Sequence, residues 1–235
     1  MTIMFKQADG KDLNSGVFAL LAGRAGIGKT TQLTTFPVAE TLGISVEKGF
    51  LSIEGSGVRY AEVQTYDDIL TILEAITVGD KNYKWVKNLF IDSLSEIYDF
   101  ISKEAKDKYT AKQNFAKFDE IVEKLLHVVR VGKNLTNLNV IFTCHTQERM
   151  VGLAKEEDLA FNGQIPEKLK RQFDLIVNMR ESEDANGHKI RSFVTSPEIS
   201  ACAKKRVSPF MKVEIADVEE ANLYKLCNKL LGKGA

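Results

Sequence analysis

The residues with the plainest chemistry lie near the start of the chain. Gly23, Arg24, Ala25, Gly26, Ile27, Gly28, Lys29 and Thr30 satisfy G-x-x-x-x-G-K-[ST] in full. Glycines let the backbone curl until successive N–H groups point inward at phosphate oxygens. In such a loop Lys29 reaches the β- and γ-phosphates and Thr30 ligates Mg²⁺. The helix that opens at Thr30 and Thr31 turns its positive end to the anion. The alternative is a chance glycine-rich turn, which a random chain of this size meets about 1% of the time. This match also follows an apolar strand, as the mechanism requires. The nucleotide-binding set is therefore Gly23 to Thr31, and the expected cofactors are ATP and Mg²⁺.

A phosphate loop needs a second acidic group to hold the magnesium shell. LFIDS puts Asp92 at the C-terminal end of an apolar strand, where ligands collect in a parallel sheet. Ser93 already fits the following helix cap, so Asp92 is free for the metal, with Thr30. A water-attack mechanism also needs a base or water-orienting group, and Glu54, closing FLSIE, is the candidate. That role requires its strand to lie close to the strand of the phosphate loop; otherwise Glu54 is only a polar loop residue.

These residues need a scaffold, and the pattern supplies an α/β one. Val17–Ala22, Phe50–Ile53, Leu89–Ile91 and Val140–Cys144 read as buried strands. Thr65 with Asp68 resembles a capping box ahead of Ile69, Ile72, Leu73 and Ile76 on one helical face. Ser93 with Glu96 repeats the signal before Ile97 and Ile101. Phe118, Ile121, Val122, Leu125 and Val129 mark a third helix. Alternating strands and helices predict a mainly parallel sheet covered on both faces. The last third differs: Asp174–Met179 and Ile190–Thr195 predict an antiparallel hairpin around Glu181–Gly187. Ser200–Ala203 is a further strand candidate, and Asp217 with Glu220 a cap for a final helix carrying Leu223, Leu226, Leu230 and Leu231. No stretch has linker composition, so one domain spanning residues 1–235 is expected.

Composition narrows the function classes. Lys+Arg and Asp+Glu both total 32, so grip on nucleic acid through bulk charge is excluded, though a local basic stripe is not. The three cysteines are far apart and odd in number, which argues against a disulfide framework or a four-cysteine zinc site and for a reducing compartment. The N-terminal MTIMFKQADGKD lacks an apolar signal core, and no run approaches the roughly 20 apolar residues of a membrane span. A cytoplasmic protein with no membrane partner is expected.

GRAGIGKT, the glutamate of FLSIEGS, LFIDSLSEI and VIFTCHT together resemble the RecA-like ATPase core. More narrowly, they are similar to the small AAA/RecA-type ATPases of bacteriophages in the Sak single-strand annealing and recombination group. The resemblance runs from Gly16 to Pro209. It implies that Glu54 activates water and that His145 sits where RecA-like proteins sense the γ-phosphate. A structural, hydrogen-bonded histidine is the equal alternative there. AKKR resembles the K-x-R element of RecA-like assemblies, in which Lys204 and Arg206 would reach the γ-phosphate held by a neighbouring subunit. The alternative is a solvated basic stretch. His127 and His188 read as bystanders.

The segment from Thr146 to Ile165 is long, polar and poor in structural signals, and reads as a loop. The resemblance places it along a DNA channel. Arg149, Lys155 and Phe161, followed by Lys168, Lys170 and Arg171, suit backbone tracking and base stacking on single-stranded DNA. Glu156, Glu157 and Asp158 argue for an ordinary surface loop instead. The resemblance thus implies a DNA-stimulated ATPase acting on single-stranded DNA in recombination or annealing. It would work as a ring or filament with shared sites, in the host cytoplasm if phage-encoded, and would meet a single-strand-binding protein. Alternatives are a helicase or helicase-loader motor, and an ATP-gated binding module with negligible turnover. A small-molecule phosphotransferase is weaker, since no separate lid rich in arginines is evident.

Overall fold

The computed structural model describes residues 16–46, 49–152, 154–207, 209 and 213–233. Its strands are β1 (Phe18–Gly23), β2 (Thr41–Ser45), β3 (Arg59–Glu62), β4 (Asn88–Asp92), β5 (Asn139–Val151), β6 (Ala154–Leu159), β7 (Leu175–Glu183), β8 (Lys189–Val194), β9 (Lys204–Lys205) and β10 (Val218–Glu220). The helices are α1 (Tyr66–Thr77), α2 (Leu94–Lys108), α3 (Asn114–Lys133), α4 (Ile165–Lys170) and α5 (Leu223–Leu230). The sheet order is β10-β8-β7-β1-β5-β4-β2-β3, with β6 paired to β5 and β9 to β7. From β7 to β3 the pairings are parallel, whereas β6, β8, β9 and β10 are antiparallel additions. This is an α/β P-loop NTPase fold.

Alternation along β1 divides the core. Phe18, Leu20 and Ala22 point to one face and join Val140, Phe142, Leu89 and Ile91 beneath α1, α2 and α3. Ala19 and Leu21 point to the other face, which is covered by Leu33, Phe36, Ile53 and the α5 residues Leu223, Leu226 and Cys227. Phe18 stacks on Phe173 at 4.7 Å between ring centroids, and Phe142 meets both edge-on. All three cysteines are buried and free.

Both capping signals hold. Thr65 and Asp68 close a reciprocal box on α1, and the Ser93 hydroxyl accepts from the Glu96 N–H at the start of α2. Several expectations do not hold. Phe50–Ile53 is a 3-10 helix with Leu51 82% exposed, and the second strand is Thr41–Ser45, buried throughout. A four-residue apolar run cannot separate strand from helix. Gly43 and the terminal Thr and Ser of β2 carry turn chemistry that masked it. The helix after the phosphate loop is only a 3-10 segment, Thr30–Thr35. Ser200–Ala203 is a turn, with strand pairing one residue later, at β9. Residues 218–220 form β10, so the cap of α5 is Asn222, whose side chain accepts from the Lys225 N–H. Phe118 faces partly outward rather than into the core.

Candidate nucleotide site

The phosphate loop leaves the C-terminal end of β1. Gly26 at φ 73° and Gly28 at φ 103° take the left-handed backbone that side-chain-bearing residues rarely adopt. The Lys29 side chain folds back over the loop. Its buried Nζ donates to the carbonyls of Gly23 and Arg24, 3.0 Å each, and lies 3.2 Å from His145 Nδ1. The register pairs Gly23 with His145, so β5 delivers the imidazole beside the loop. The Ser95 hydroxyl, in the first turn of α2, accepts from the His145 N–H at 3.0 Å and holds that part of β5 in place. The Thr31 hydroxyl donates to the Gly28 carbonyl at 2.6 Å and fastens the end of the loop.

Thr30 and Asp92 meet across the sheet. The Thr30 hydroxyl donates to Asp92 Oδ2 at 2.5 Å, and Thr143 of β5 donates to Oδ1. Asp92 is 6% exposed, and each of its carboxylate oxygens accepts from a threonine hydroxyl. A hydroxyl and a carboxylate are hard oxygen donors that suit Mg²⁺. That ion keeps most of its shell as water and phosphate and needs few protein ligands. Among the described residues no group of three or more His, Cys, Asp or Glu could hold a metal. The residues therefore fit a magnesium-bound nucleotide.

Two hairpins rise beyond this edge of the sheet. The stretch 146–159 forms the β5–β6 hairpin, Thr146 pairing Leu159, and not the structureless loop expected from its polarity. Alternating charged residues disguised its strands. On the other flank Ala22 pairs Asn178, above which β7 and β8 run as the expected hairpin, from Asn178↔Val194 to Glu183↔Lys189. Glu157 joins the three parts. It accepts from Thr146 Oγ1 at 2.7 Å and Asn178 Nδ2 at 2.9 Å, and faces Arg180 at 3.4 Å and Arg24 at 3.7 Å. Burial would push its carboxyl up, but those hydrogen bonds and the two guanidiniums hold it below the usual range.

The other predicted residues are scattered. Glu54 is exposed on the turn after the 3-10 helix at Phe50–Ile53. Its expected strand does not exist, and β5 and β4 separate β2 from β1. The acid that follows β2 and Val46 in sequence, Glu47, lies outside the described residues. Lys204 and Arg206 sit at the opposite end of the sheet, since Lys205 pairs Leu175 and the Arg206 N–H donates to the Asp174 carbonyl. There Lys204 Nζ donates to the Lys170 carbonyl at 2.6 Å, and Arg206 meets Asp174 at 3.1 Å. Burial and the Arg206 charge lower the Lys204 pKa.

The basic set proposed for DNA is also divided. Phe161 is 2% exposed and packs edge-on against Tyr98, so its ring is core and not a stacking platform. Arg149 donates to the carbonyls of Leu159 and Phe161 and pairs with Asp158. Lys170 is held by Asp158 at 3.0 Å and Glu167 at 2.9 Å. Lys155, paired with Glu148 at 3.3 Å, and Arg171 are exposed, and Lys168 is half-buried. No described helix is long and apolar enough to cross a membrane.

Residues 15–207 match the family model described as AAA domain, which covers most of the chain. No curated protein matches it. The chain belongs to the AAA-domain family, a family of P-loop ATPases.

Proposed function

We propose that this AAA-domain chain hydrolyses ATP to cycle a phage-type recombination or annealing assembly on and off single-stranded DNA. The observation that carries the ATPase part is the convergence of Lys29, Thr30, Asp92 and His145 at one sheet edge. The curled backbone at Gly26 and Gly28 cradles phosphate oxygens. Lys29 exchanges two loop carbonyls for the terminal phosphates, a contact in which both partners are ionised and which is therefore the stronger one. Thr30 and Asp92 would hold Mg²⁺, which when bound would neutralise charge developing on the transferred phosphoryl group. His145, next to Lys29, reports on whether the lysine is engaged by nucleotide.

The DNA part rests on the resemblance of the motifs to the Sak group and on position. The β5–β6 hairpin grows out of the strand that carries His145, so a change at the nucleotide has a short path to it. Lys155, Lys168 and Arg171 are the cations we assign to the DNA backbone. Lys204 and Arg206, at the far end of their own sheet, could act on phosphates only in a neighbouring subunit, so that role requires an oligomer.

Measuring ATP hydrolysis with and without single-stranded DNA tests this reading. Severalfold or larger stimulation by single strands, absent in Lys29→Ala protein, is expected. Hydrolysis indifferent to DNA removes the recombination assignment, and normal hydrolysis by folded Lys29→Ala removes the nucleotide site. A second reading, an ATP-gated module with negligible turnover, draws on the exposed turn position of Glu54. Tight ATP binding without turnover under any DNA condition would favour it.

A further inference from the structure

Gly28 carries an observation that its motif does not explain. A Cβ built on this glycine would stand 2.8 Å from Arg191 Nη1 and 3.3 Å from Arg191 Cζ. The space that any side chain at position 28 would take is thus filled by a guanidinium. Arg191 comes from β8, opposite Glu181 of β7. Glu181 approaches its Nε at 3.7 Å and also pairs with Lys189 at 2.8 Å. The cation lines a cleft of about 920 Å³ that runs from Ala25, Gly26 and Ile27 to Arg180 and Lys189.

This placement brings a second cation to a loop that already favours anions. A loop of inward N–H groups already makes a positive concavity, and Lys29 adds a full charge to it. A second full charge placed over the same loop is repelled by it, while Glu181 and the cleft's Glu148, Glu156 and Glu157 attract it. An anion between the two cations is attracted by both of them and by the loop N–H groups, and so offsets their mutual repulsion. Arginine also offers a planar fork that matches phosphate oxygens in pairs.

We infer that Arg191 is a phosphate ligand supplied by the same subunit. It reaches the polyphosphate from the β7–β8 flank of the loop that carries Lys29, whereas His145 and Asp92 approach from the β5 and β4 flank. The inference rests on the nucleotide reading above and extends it to a residue outside the motif. No neighbouring subunit is needed for this contact, in contrast to Lys204 and Arg206.

Equilibrium binding of a fluorescent ATP analogue in the presence of Mg²⁺ tests it, with inorganic tripolyphosphate as competitor. Arg191→Ala should weaken ATP by about 10- to 100-fold, the scale of a lost charged hydrogen bond. Tripolyphosphate should lose the same factor, and Arg191→Lys should recover part of it. Lys189→Ala removes a charge from the same cleft without touching the loop and should stay within about threefold. Arg191 is half-exposed, so its variants should melt near the wild-type temperature; should Arg191→Ala unfold, Arg191→Lys and Arg191→Gln carry the measurement. Arg191 variants that bind like wild type overturn the inference, as does an equal loss in Lys189→Ala. A loss for ATP but not for tripolyphosphate moves Arg191 to the base or sugar and overturns the phosphate assignment. Wild-type protein that binds no ATP, or binds it as well as Lys29→Ala does, brings down the nucleotide reading first. Binding that is lost in Lys29→Ala and intact in Arg191→Ala brings down this inference alone.

Discussion

The Thr30 hydroxyl donates to Asp92 Oδ2 at 2.5 Å, joining two residues 62 positions apart in sequence. Thr143 holds the other carboxylate oxygen, so the phosphate loop, the end of β4 and β5 are tied together at the point where magnesium chemistry is expected. Asp92→Asn keeps the size of the side chain but removes the charge. The substituted protein should fold, with unchanged far-UV circular dichroism, and its ATP affinity should no longer respond to Mg²⁺. Hydrolysis should fall by at least about 10²-fold, as expected when a metal-orienting carboxylate is neutralised. An ATP affinity still raised by Mg²⁺ in Asp92→Asn would remove Asp92 from the metal shell.

His145 Nδ1 lies 3.2 Å from Lys29 Nζ, and the proposed function makes it a positioning residue through that contact. His145→Ala should slow hydrolysis by roughly tenfold or more while ATP affinity changes only severalfold, because Lys29 keeps its charge and its loop carbonyls. His145→Gln, which retains a hydrogen-bonding group at that position, should recover much of the rate. Equal losses in affinity and rate for both variants would mark a structural histidine instead.

Glu54 tests which acid, if any, activates water. On an exposed turn, Glu54→Gln should leave turnover within a fewfold of wild type. A loss of about 10² or more with Mg·ATP binding intact, the usual scale for a general base, would restore the role its sequence context suggested. Glu47→Gln is the companion measurement, since that acid follows Val46, whose N–H donates to the Asp92 carbonyl at 2.9 Å.

Phe161 separates core from DNA contact. Phe161→Ala should cost about 3–5 kcal/mol of stability, the usual range for emptying a buried phenylalanine site, and lower the melting temperature accordingly. An unchanged melting temperature with weakened binding of a single-stranded oligonucleotide would contradict its burial against Tyr98.

Arg206 tests assembly. If it acts across an interface, Arg206→Ala should lose hydrolysis by about 10³-fold or more while keeping its nucleotide affinity, since fingers supplied by a neighbour act on rate. Its partner Asp174 is at the surface, so stability should change by less than about 1 kcal/mol. Mixing Arg206→Ala with Lys29→Ala protein should recover some activity at interfaces that pair an intact loop with an intact arginine. No recovery in mixtures shown by mass to exchange subunits would end the shared-site proposal.

The sequence alone determined the features that depend on neighbours in the chain. The phosphate loop, the strand ending at Asp92, the capped starts of α1 and α2 and the β7–β8 hairpin follow from backbone curl, capping hydrogen bonds and hydrophobic period. Each is satisfied within a few residues. The tertiary structure decided what depends on distant partners. Thr41–Ser45 is a strand because β3 and β4 pair with it on both sides, despite a glycine at its centre. Phe50–Ile53, equally apolar, has no such partner and coils. Lys155 to Leu159 looks solvated in sequence, yet pairs with β5 because Arg24, Arg180 and Asn178 converge on Glu157. Phe161 is buried because Tyr98, from α2, stands over it. Arg191 reaches Gly28 because β8 folds back along β7. These placements arise from pairing register and charges brought together over long stretches of chain, and no local pattern records either.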